Sequence, residues 1–503
     1  MRCPGLKPGS SEEALATEDI RAYEVNSIWR GVSLDLLMEN AGAAVASALE
    51  CLLGGLEGAR VAVLSGKGGN GGDGLAAARR MASRGASVTV YLVQGLVDHP
   101  SSKVMLDALK NSSVKVERSP PEELEGVDAV VDAVLGIGVK GALRGPVRKA
   151  MEAYNSSPGM RISVDIPTGV NPDTGEAVDG AARSDYTVSL IAAKRGLFVE
   201  PGRLHAGEVL VAEIGLPESA VTHAGPGDAA VRVPMRRRDA WKGSAGRVVV
   251  VGGSKQFAGA PVLAALAAYA AGVDLVYLVS YRSYDAALSH VELVPRTPDD
   301  LEDVVARSHS VVVGPGMGVS DEAAGLVEAV LREAEKRGRL VVADADAIKM
   351  ISEGLVKPRG VMVITPHRGE ARQLLGGESL EPLEAARRIA AELGVTVAVK
   401  APVDAVCNPQ GKCRLNDTGV PEMSVGGTGD VLAGVIAGFA ARRAAAGLDY
   451  DPLNTVAAAL YITGRAGEMA VAEGLESITP LKVLENVPRA MEEARRIAGQ
   501  RRV

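Results

Sequence analysis

Short runs rich in Val and Ile alternate with longer helical patterns along most of this chain, and this alternation restricts its fold most. The runs form two series, of which the first is Arg60–Ser65, Ser87–Val93, Asp128–Val134, Arg161–Ile166, Tyr186–Ile191 and Val209–Ile214. The second series is Arg247–Val251, Asp274–Ser280, Ser310–Val313, Arg339–Ala343, Val361–Ile364 and Val395–Lys400. Continuous apolar runs between helices are typical of parallel strands that are buried on both faces. The pattern therefore predicts an α/β fold with a parallel sheet in each half.

The length of 503 residues predicts more than one domain. Between the two series lies Thr222–Ala240, which is rich in Gly and Pro and contains the basic triplet Arg236–Arg238. Such a composition is typical of a domain join. We predict a first domain over 1–221, a linker over 222–238 and a second domain over 239–503. The triplet could bind phosphate, but a solvated linker is the favoured interpretation.

Charge and cysteine content restrict the class of protein. The net charge of −7 gives no reason to expect nucleic acid or an anionic membrane as partner. The cysteines, Cys3, Cys51, Cys407 and Cys413, form no CxxC pair, so we expect no disulfide framework and a reducing, cytoplasmic location. The N-terminus has no apolar signal-peptide core. No stretch approaches the ~18 uninterrupted apolar residues of a membrane span.

Polar residues mark three strand ends in the first half. The first strand leads into the glycine-rich run Gly66–Gly74, which contains Asn70 and Asp73 although a glycine-rich turn needs neither. Closely spaced glycines let the backbone approach a ligand and aim N–H groups at an anion near a helix start. Asp132 and Asp165 end two further strands, where a lone aspartate is often only a cap or turn residue. Because ligands collect at the carboxyl ends of strands in α/β sheets, the three loops together predict one binding site.

The runs GNGGDG, DAVLGIGVKG and DIPTG resemble the epimerase domain of bifunctional NAD(P)H-hydrate repair enzymes, over about residues 18–215. The resemblance implies that oxygen atoms of Asn70, Asp132 and Thr168 bind a potassium ion, a hard cation that oxygen donors suit. It also implies that the substrate is held by Asp165 and by Gly69, Asn70, Gly71, Gly72, Asp73, Gly136, Ile137, Gly138, Val139, Gly141 and Ala142. Lys140 and Asp165 are the candidates for proton transfer, because epimerising the hydroxyl-bearing carbon needs an acid or base and a stabilised iminium-like intermediate.

Two positions depart from this family's pattern. Gly69 stands where the family usually has Asn, and the loop GIGV lacks the family's aromatic residues. Asn70 and Lys140 match the residues of this family's pattern. We therefore expect epimerase activity with altered ligand packing.

The strongest motif of the second half is Ser424–Gly434, in which GGTGD opens a long apolar helix. Free backbone N–H groups at such a helix start can hold an anion. Asp430, in the first helical turn, could simply stabilise the helix dipole, but the small residues before it leave room for a ligand. The layout resembles the ribokinase-like superfamily, in which this Asp lies beside a transferring phosphate.

Further motifs follow strand ends in a fixed order, namely Gly259–Pro261, Gly314–Gly318, Asp344–Ala347, Thr365–Glu370 and Lys400–Asp404. This series resembles the NAD(P)H-hydrate dehydratase domain over about residues 236–497. The resemblance implies that the hydrated nicotinamide nucleotide is contacted by Ala260, Gly318, His367 and Asp430. It implies that the adenine nucleotide is held by Lys400, Ala401, Pro402, Val403, Asp404, Gly426, Gly427, Thr428 and Gly429.

Asp430 would then help to transfer a phosphoryl group to the substrate hydroxyl, after which phosphate leaves and the dihydropyridine is restored. Phosphoryl transfer needs charge neutralisation, so we expect Mg²⁺. We favour ADP as the phosphoryl donor, and ATP is the alternative. Ala401 stands where this family prefers Gly, and Arg368 where it often has Pro; both flank the site and should only tune binding.

Taken together, the motifs predict a Rossmann-like three-layer domain followed by a ribokinase-like domain. The chain would epimerise the R and S hydrates of NADH and NADPH and dehydrate the S epimer at the expense of ADP. The alternative is a ribokinase-like small-molecule kinase with a non-catalytic N-terminal binding domain. A pure scaffold needs no polar set such as Asn70, Asp73, Asp132, Lys140 and Asp165, which favours catalysis. Members of the family commonly form homo-oligomers, and we expect the same here.

Overall fold

A computed structural model describes residues 3–138, 141–280, 285, 289–474 and 476–499. The chain divides into two compact units, Met1–Pro217 and Glu218–Val503. Each unit is built on one sheet that is mostly parallel, which confirms the predicted fold class.

The first unit contains eight strands, β1 (Leu6–Pro8), β2 (Arg60–Ser65), β3 (Ser87–Leu92), β4 (Lys115–Glu117), β5 (Ala129–Ala133), β6 (Met160–Val164), β7 (Tyr186–Leu190) and β8 (Glu208–Ala212). Its described helices are α1 (Thr17–Trp29), α2 (Leu34–Leu53), α3 (Gly69–Ala82), α4 (Pro100–Asp107), α5 (Gly145–Ser156) and α6 (Gly202–Ala206). The strands lie in the order β1-β8-β7-β6-β5-β2-β3-β4, with β1 antiparallel to β8 and the rest parallel.

Both faces of this sheet are covered, which explains why β2 is apolar almost throughout. Val61 and Val63 pack into the cluster that contains residues of α2 and α3. Ala62 and Leu64 point to the opposite face and pack with residues of α5. Alternate side chains of a strand face opposite sides of a sheet, so a strand between two helical layers needs apolar residues at every position.

The second unit contains nine strands, β9 (Arg247–Val251), β10 (Leu275–Val279), β11 (Val294–Arg296), β12 (Ser310–Val313), β13 (Leu340–Ala343), β14 (Met362–Ile364), β15 (Thr396–Val399), β16 (Asp404–Cys407) and β17 (Cys413–Asn416). Its described helices are α7 (Glu218–Thr222), α8 (Pro226–Arg232), α9 (Gly259–Ala270), α10 (Leu301–Arg307), α11 (Asp321–Lys336), α12 (Asp346–Ser352), α13 (Arg368–Leu374), α14 (Pro382–Leu393), α15 (Thr428–Ala445), α16 (Pro452–Ala472) and α17 (Pro480–Ile497).

The strand order of the second sheet is β11-β10-β9-β12-β13-β14-β15-β16-β17. Strands β9 to β15 run parallel to one another. Strand β16 is antiparallel to β15 and forms an antiparallel hairpin with β17. From β9 the chain first builds outward through β10 and β11, then returns to the other side of β9 with β12. The carboxyl ends of β9 and β12 therefore flank a topological switch point, where α/β sheets usually bind ligands.

All twelve predicted strand runs contain strands, which leaves β1, β4, β11, β16 and β17 as the strands that the pattern missed. β1, β4 and β11 are three residues long. The hairpin strands β16 and β17 carry Asp404, Arg414 and Asn416, which break the apolar pattern. Short edge strands and polar hairpins lack the continuous apolar signal of a central parallel strand.

The predicted linker over 222–238 is wrong for most of its length, because these residues fold as part of the second unit. Within this stretch α8 carries Asp228, whose carboxylate is fully buried and accepts hydrogen bonds from Arg414 in β17, at 2.9 and 3.1 Å. The carbonyl of Arg232 accepts a hydrogen bond from Arg443 in α15, at 2.6 Å. A buried ion pair between segments far apart in sequence leaves no local sequence signal.

The expectation of no disulfide framework is also wrong. Cys3 bonds to Cys51 with a Cα–Cα distance of 5.6 Å, and Cys407 bonds to Cys413 with a Cα–Cα distance of 4.1 Å. The second pair occupies directly opposed positions of β16 and β17. Spacing along the chain does not show these pairings, because the positions meet only through a strand register and the packing of the N-terminus on α2.

Helix α2 is the one described helix that is long and apolar enough to cross a membrane. It is a core helix of the first unit, where Leu37, Val45 and Leu49 are buried. A Cβ on Gly42 would overlap with Ala76 of α3. This packing explains the apolar composition of α2 without a lipid environment.

Candidate active sites

The glycine-rich run of the first unit forms the start of α3, which begins at Gly69. A Cβ on Gly66 would overlap with the carbonyl oxygen of Val134, and one on Gly71 would overlap with the carbonyl oxygen of Gly66. These two glycines therefore allow the turn to pack on the loop after β5. Gly68 and Gly69 have open space where a side chain would lie, so a ligand can approach the backbone there.

This open space belongs to a cavity of about 510 Å³. Of the predicted residues, its lining includes Gly69, Asn70, Asp73, Gly136, Ile137, Gly138 and Asp165. Gly71 and Gly72 are buried, and Gly141 and Ala142 are exposed and do not line the cavity. The predicted residues Val139 and Lys140 lie outside the described residues. The structure thus brings the three predicted strand-end loops together at one edge of the sheet.

Asp132 and Thr168 lie behind the cavity wall and are fully buried. The Asp132 carboxylate accepts hydrogen bonds from the Thr168 N–H at 2.8 Å, the Thr168 hydroxyl at 2.7 Å, the Ser163 hydroxyl at 2.8 Å and the Val134 N–H at 3.2 Å. Burial raises the pKa of Asp132, and these hydrogen bonds oppose the rise. The amide nitrogen of Asn70 is buried and has no hydrogen-bond partner within the described part of the chain.

Asp165 follows β6 with a left-handed backbone, φ 68°, which is uncommon for a residue with a side chain. One carboxylate oxygen accepts hydrogen bonds from the ammonium of Lys194 and from the Leu190 N–H. The Lys194 side chain is completely buried and also donates to the Ser189 hydroxyl at 3.2 Å and the Leu190 carbonyl at 2.9 Å. The sequence analysis missed Lys194, although it follows the strand run Tyr186–Ile191 and so lies at a fourth strand end.

Two more carboxyl groups face Asp165 across this cavity, and both have pKa values above their usual range. Burial raises the pKa of Glu24 to about 7, and the charge of Asp165 adds to the rise. Burial is the largest cause that raises the pKa of Asp73 well above its usual value. The negative charges of Asp165 and Glu24 add to this rise. A carboxyl group whose pKa is raised toward neutrality is suited to acid catalysis.

In the second unit the GGTGD turn forms the start of α15. Gly427 precedes the helix with φ 101°, a conformation that favours glycine. The Thr428 hydroxyl donates to the carbonyls of Met423 and Val425, both at 3.0 Å, and so holds the turn. Gly426 faces open space, and the position of a Cβ on Gly429 lies 3.0 Å from the Lys400 ammonium nitrogen. A cation and a helix N-terminus therefore meet at this turn, as an anion site requires.

Asp430, Lys400 and Asp344 form the charged centre of this site. The Lys400 ammonium donates to Asp344 at 2.9 Å, and the buried Asp344 also accepts from the Thr365 hydroxyl at 2.7 Å. Burial, and then the charge of Asp344, raise the pKa of Asp430 to about 7. Burial lowers the pKa of Lys400, but Asp344 outweighs it and the net shift is upward. The sequence analysis placed Asp344 in a motif but assigned it no role.

The neighbouring predicted residues support the site through hydrogen bonds within the protein. Gly318 donates its N–H to Asp346 at 2.9 Å, and Ala345, between the two aspartates, has a left-handed φ of 51°. His367 caps α13, because its Nδ1 accepts from the N–H groups of Gly369 and Glu370 at 3.0 and 3.2 Å. Asp404 accepts from the Ala401 N–H at 2.9 Å and so closes the turn that carries Lys400.

A cavity of about 740 Å³ opens at the switch point of the second sheet. Gly252 and Gly253 after β9, Ser280 after β10 and Met317 after β12 line it. Met317 precedes the predicted substrate residue Gly318. Ala260, at the start of α9, lies near this edge, 3.5 Å from the position of a Cβ on Gly316. None of the four predicted substrate residues, Ala260, Gly318, His367 and Asp430, lines this cavity, although Met317 places Gly318 next to it in the chain.

Comparisons with known proteins agree with both halves of this arrangement. Residues 248–489 match the family described as NAD(P)H-hydrate dehydratase. Residues 34–196 match the family described as YjeF-related protein N-terminus. The bifunctional NAD(P)H-hydrate repair enzyme Nnr of Hyperthermus butylicus is 38% identical over 98% of this chain and 95% of its own length. The chain belongs to the family of bifunctional NAD(P)H-hydrate repair enzymes.

One further relative and one solved structure are also similar to this chain. The repair enzyme Nnr of Methanopyrus kandleri is 39% identical over 95% of this chain and 96% of its own length. A solved ADP/ATP-dependent NAD(P)H-hydrate dehydratase from Bacillus subtilis, co-crystallized with ATP/Mg²⁺, is 23% identical over 54% of this chain and 99% of its own, with a TM-score of 0.46. The predicted family is confirmed for both halves, and the kinase alternative is not favoured.

Proposed function

We propose that the first unit epimerises the R and S hydrates of NADH and NADPH, and that the second unit dehydrates the S epimer with ADP as phosphoryl donor. The observation that carries this proposal is the pair of distinct charged sites. One combines Asp165, Lys194 and protonatable carboxyl groups in a cavity, and the other combines Asp430 and Lys400 with an anion-binding helix start. The names of the relatives, bifunctional NAD(P)H-hydrate repair enzymes, support two activities on this substrate class, and the dehydratase family that residues 248–489 match supports the second one.

In the first site Asp165 would face the reacting ring as a fixed anion. Lys194 and the Leu190 N–H hold its carboxylate in place, so little reorganisation is needed when positive charge develops on the ring. Burial raises the pKa of Asp73, which favours the protonated form, and in that form Asp73 would donate a hydrogen bond to the substrate. The open backbone of Gly68 and Gly69 at the start of α3 would receive a phosphate of the dinucleotide.

The donor set beside this cavity fits a potassium ion. Asn70, Asp132 and Thr168 carry oxygen atoms, which hard cations prefer, and the Thr168 hydroxyl and the Asp132 carboxylate lie 2.7 Å apart. These three residues would hold the ion, and its positive charge would help to neutralise the substrate phosphates. In the absence of potassium the epimerisation rate should fall, while dehydration of the S epimer should not.

In the second site Asp430 would accept the proton of the substrate hydroxyl as that oxygen takes the phosphoryl group. Lys400 and the N–H groups at the start of α15 would stabilise the charge on the transferred group. Mg²⁺ usually binds through phosphates, water and one or two carboxylates. Asp344 is the candidate here, because the position of a Cβ on Gly429 lies 3.6 Å from its second oxygen. The ion would neutralise nucleotide phosphates.

We also propose a cytoplasmic location and a homo-oligomeric assembly. The acidic net charge supports a location away from anionic membranes. Disulfides occur in some intracellular proteins, those of hyperthermophiles among them, so the two bonds do not contradict this location. Light scattering on the purified protein measures the assembly directly.

The decisive assay follows the reduced-nicotinamide absorbance with mixed epimers of hydrated NADH, Mg²⁺, K⁺ and either ADP or ATP. Full recovery of NADH from both epimers supports both activities and identifies the donor. Recovery of the S epimer alone would remove the epimerase activity from the proposal. No recovery with either nucleotide would overturn it for both units.

A further inference from the structure

Glu24 lies on α1 and lines the cavity of the first unit together with Asp73 and Asp165. Its carboxyl group has no hydrogen bond to any other residue in the described part of the chain, whereas Asp165 is held by Lys194 and Leu190. A partly buried carboxyl group that faces a cavity without a protein partner is free to bond a ligand. Neither the glycine motif nor the strand-end pattern singles out this residue, because α1 lies outside both.

The charges around Glu24 come from four elements. Asp165 follows β6, Asp73 lies on α3, Lys194 follows β7 and Arg21 lies one turn earlier on α1. Lys194 is already paired with Asp165. Arg21 is exposed and donates to the Ile137 carbonyl at 3.4 Å.

Two further charged or titratable residues line this cavity. Lys67 pairs with Asp98 at 2.9 Å. Burial lowers the pKa of His99, which disfavours the cationic form of its side chain. No cation of the described part of the chain therefore has Glu24 as its partner, which leaves Glu24 as a carboxyl group that can keep its proton.

We propose that Glu24 is the general acid of the epimerisation and that Asp165 is the anion that stabilises the cationic ring. This inference rests on the epimerase function proposed above. The Glu24 proton passes to the hydroxyl oxygen of the hydrated carbon, and the C–O bond breaks with its electron pair leaving on water. The lone pair of the ring nitrogen forms the C=N bond. Water then adds to the opposite face, a new C–O bond forms, and the added water loses its proton to solvent, from which the Glu24 carboxylate regains a proton.

The first test compares Glu24→Gln, Glu24→Asp and wild type by the rate at which separated epimers interconvert, resolved by chromatography. General acids typically contribute roughly 100-fold or more, so Glu24→Gln should slow interconversion by about that factor. Glu24→Asp, which keeps the acid, should recover part of the rate. Glu12→Gln, an exposed residue of the same unit, is the matched control and should behave as wild type.

The second readout is the pH profile. Because the pKa of Glu24 is about 7, its protonated fraction falls as the pH rises through 7, and the wild-type rate should fall with it. Glu24→Gln should lose this decline. A wild-type rate and an unchanged profile in Glu24→Gln would overturn the proposal.

The third readout uses water labelled with heavy oxygen. Cleavage of the C–O bond predicts that each catalysed interconversion places one solvent oxygen on the ring. Enzymatic interconversion without incorporation would overturn the proposed step even if Glu24 affects the rate. The melting temperature of the first unit, compared with that of the wild type, is the folding control for every variant, and dehydration of the S epimer checks the second unit alone. A wild-type protein that dehydrates the S epimer but interconverts nothing would overturn the epimerase function itself, and this inference with it.

Discussion

The two sites of this chain use aspartate in different surroundings. In the first unit Asp165 is locked by the completely buried Lys194, and two further carboxyl groups with raised pKa values share its cavity. In the second unit Asp430 stands at the start of α15, beside Lys400 and a turn with open backbone. The first arrangement places carboxyl groups with raised pKa values in one cavity. The second arrangement directs backbone N–H groups and the Lys400 ammonium toward a position where an anion can bind. The difference matches an epimerisation in one unit and a phosphoryl transfer in the other.

The sharpest way to separate the sites is Asp430→Ala. We expect dehydration of the S epimer to fall by roughly 1,000-fold, because the substrate hydroxyl loses its proton acceptor and Lys400 loses the nearby negative charge of Asp430. Interconversion of the epimers, measured in the same preparation, should remain at the wild-type rate. Turnover near the wild-type value would remove Asp430 from the mechanism.

Asp165→Asn is the corresponding change in the first unit. It removes the anion that faces the ring and leaves the Lys194 ammonium buried without a charge partner. We expect interconversion to fall by about 100-fold and the unit to melt at a lower temperature, since an unpaired buried charge is costly. Chromatography of the epimers and calorimetry measure the two effects. If stability drops while the interconversion rate holds, Asp165 is structural only.

The smallest expected effect compares the two disulfides. Loop-closure entropy predicts a stabilisation of roughly 4 kcal/mol for Cys3–Cys51 and roughly 2 kcal/mol for Cys407–Cys413, with sequence separations of 48 and 6. Cys3→Ser should therefore lower the free energy of unfolding of its unit more than Cys407→Ser does. Urea titration with a spectroscopic probe for each unit measures the difference. Equal or reversed losses would show that strain or local packing outweighs the entropy of the loop.

Local motifs predicted the residues at strand ends well, but they could not separate ligand contacts from supporting bonds. Asn70, Asp73 and Asp165 line the cavity as expected, whereas Asp132 and Thr168 bond to each other behind its wall. The ligand roles of these residues stay predictions.

The sequence by itself determined the two α/β units, the positions of their central strands along the chain and the strand-end loops that form each site. It could do so because buried parallel strands need continuous apolar runs and because the glycine and aspartate motifs are local. Only the tertiary structure decided that Glu24 and Lys194 belong to the first site, that Lys400 pairs with Asp344, and that α8 packs into the second unit. These features depend on contacts between distant segments, and burial and charge, which set a pKa, exist only after the chain has folded.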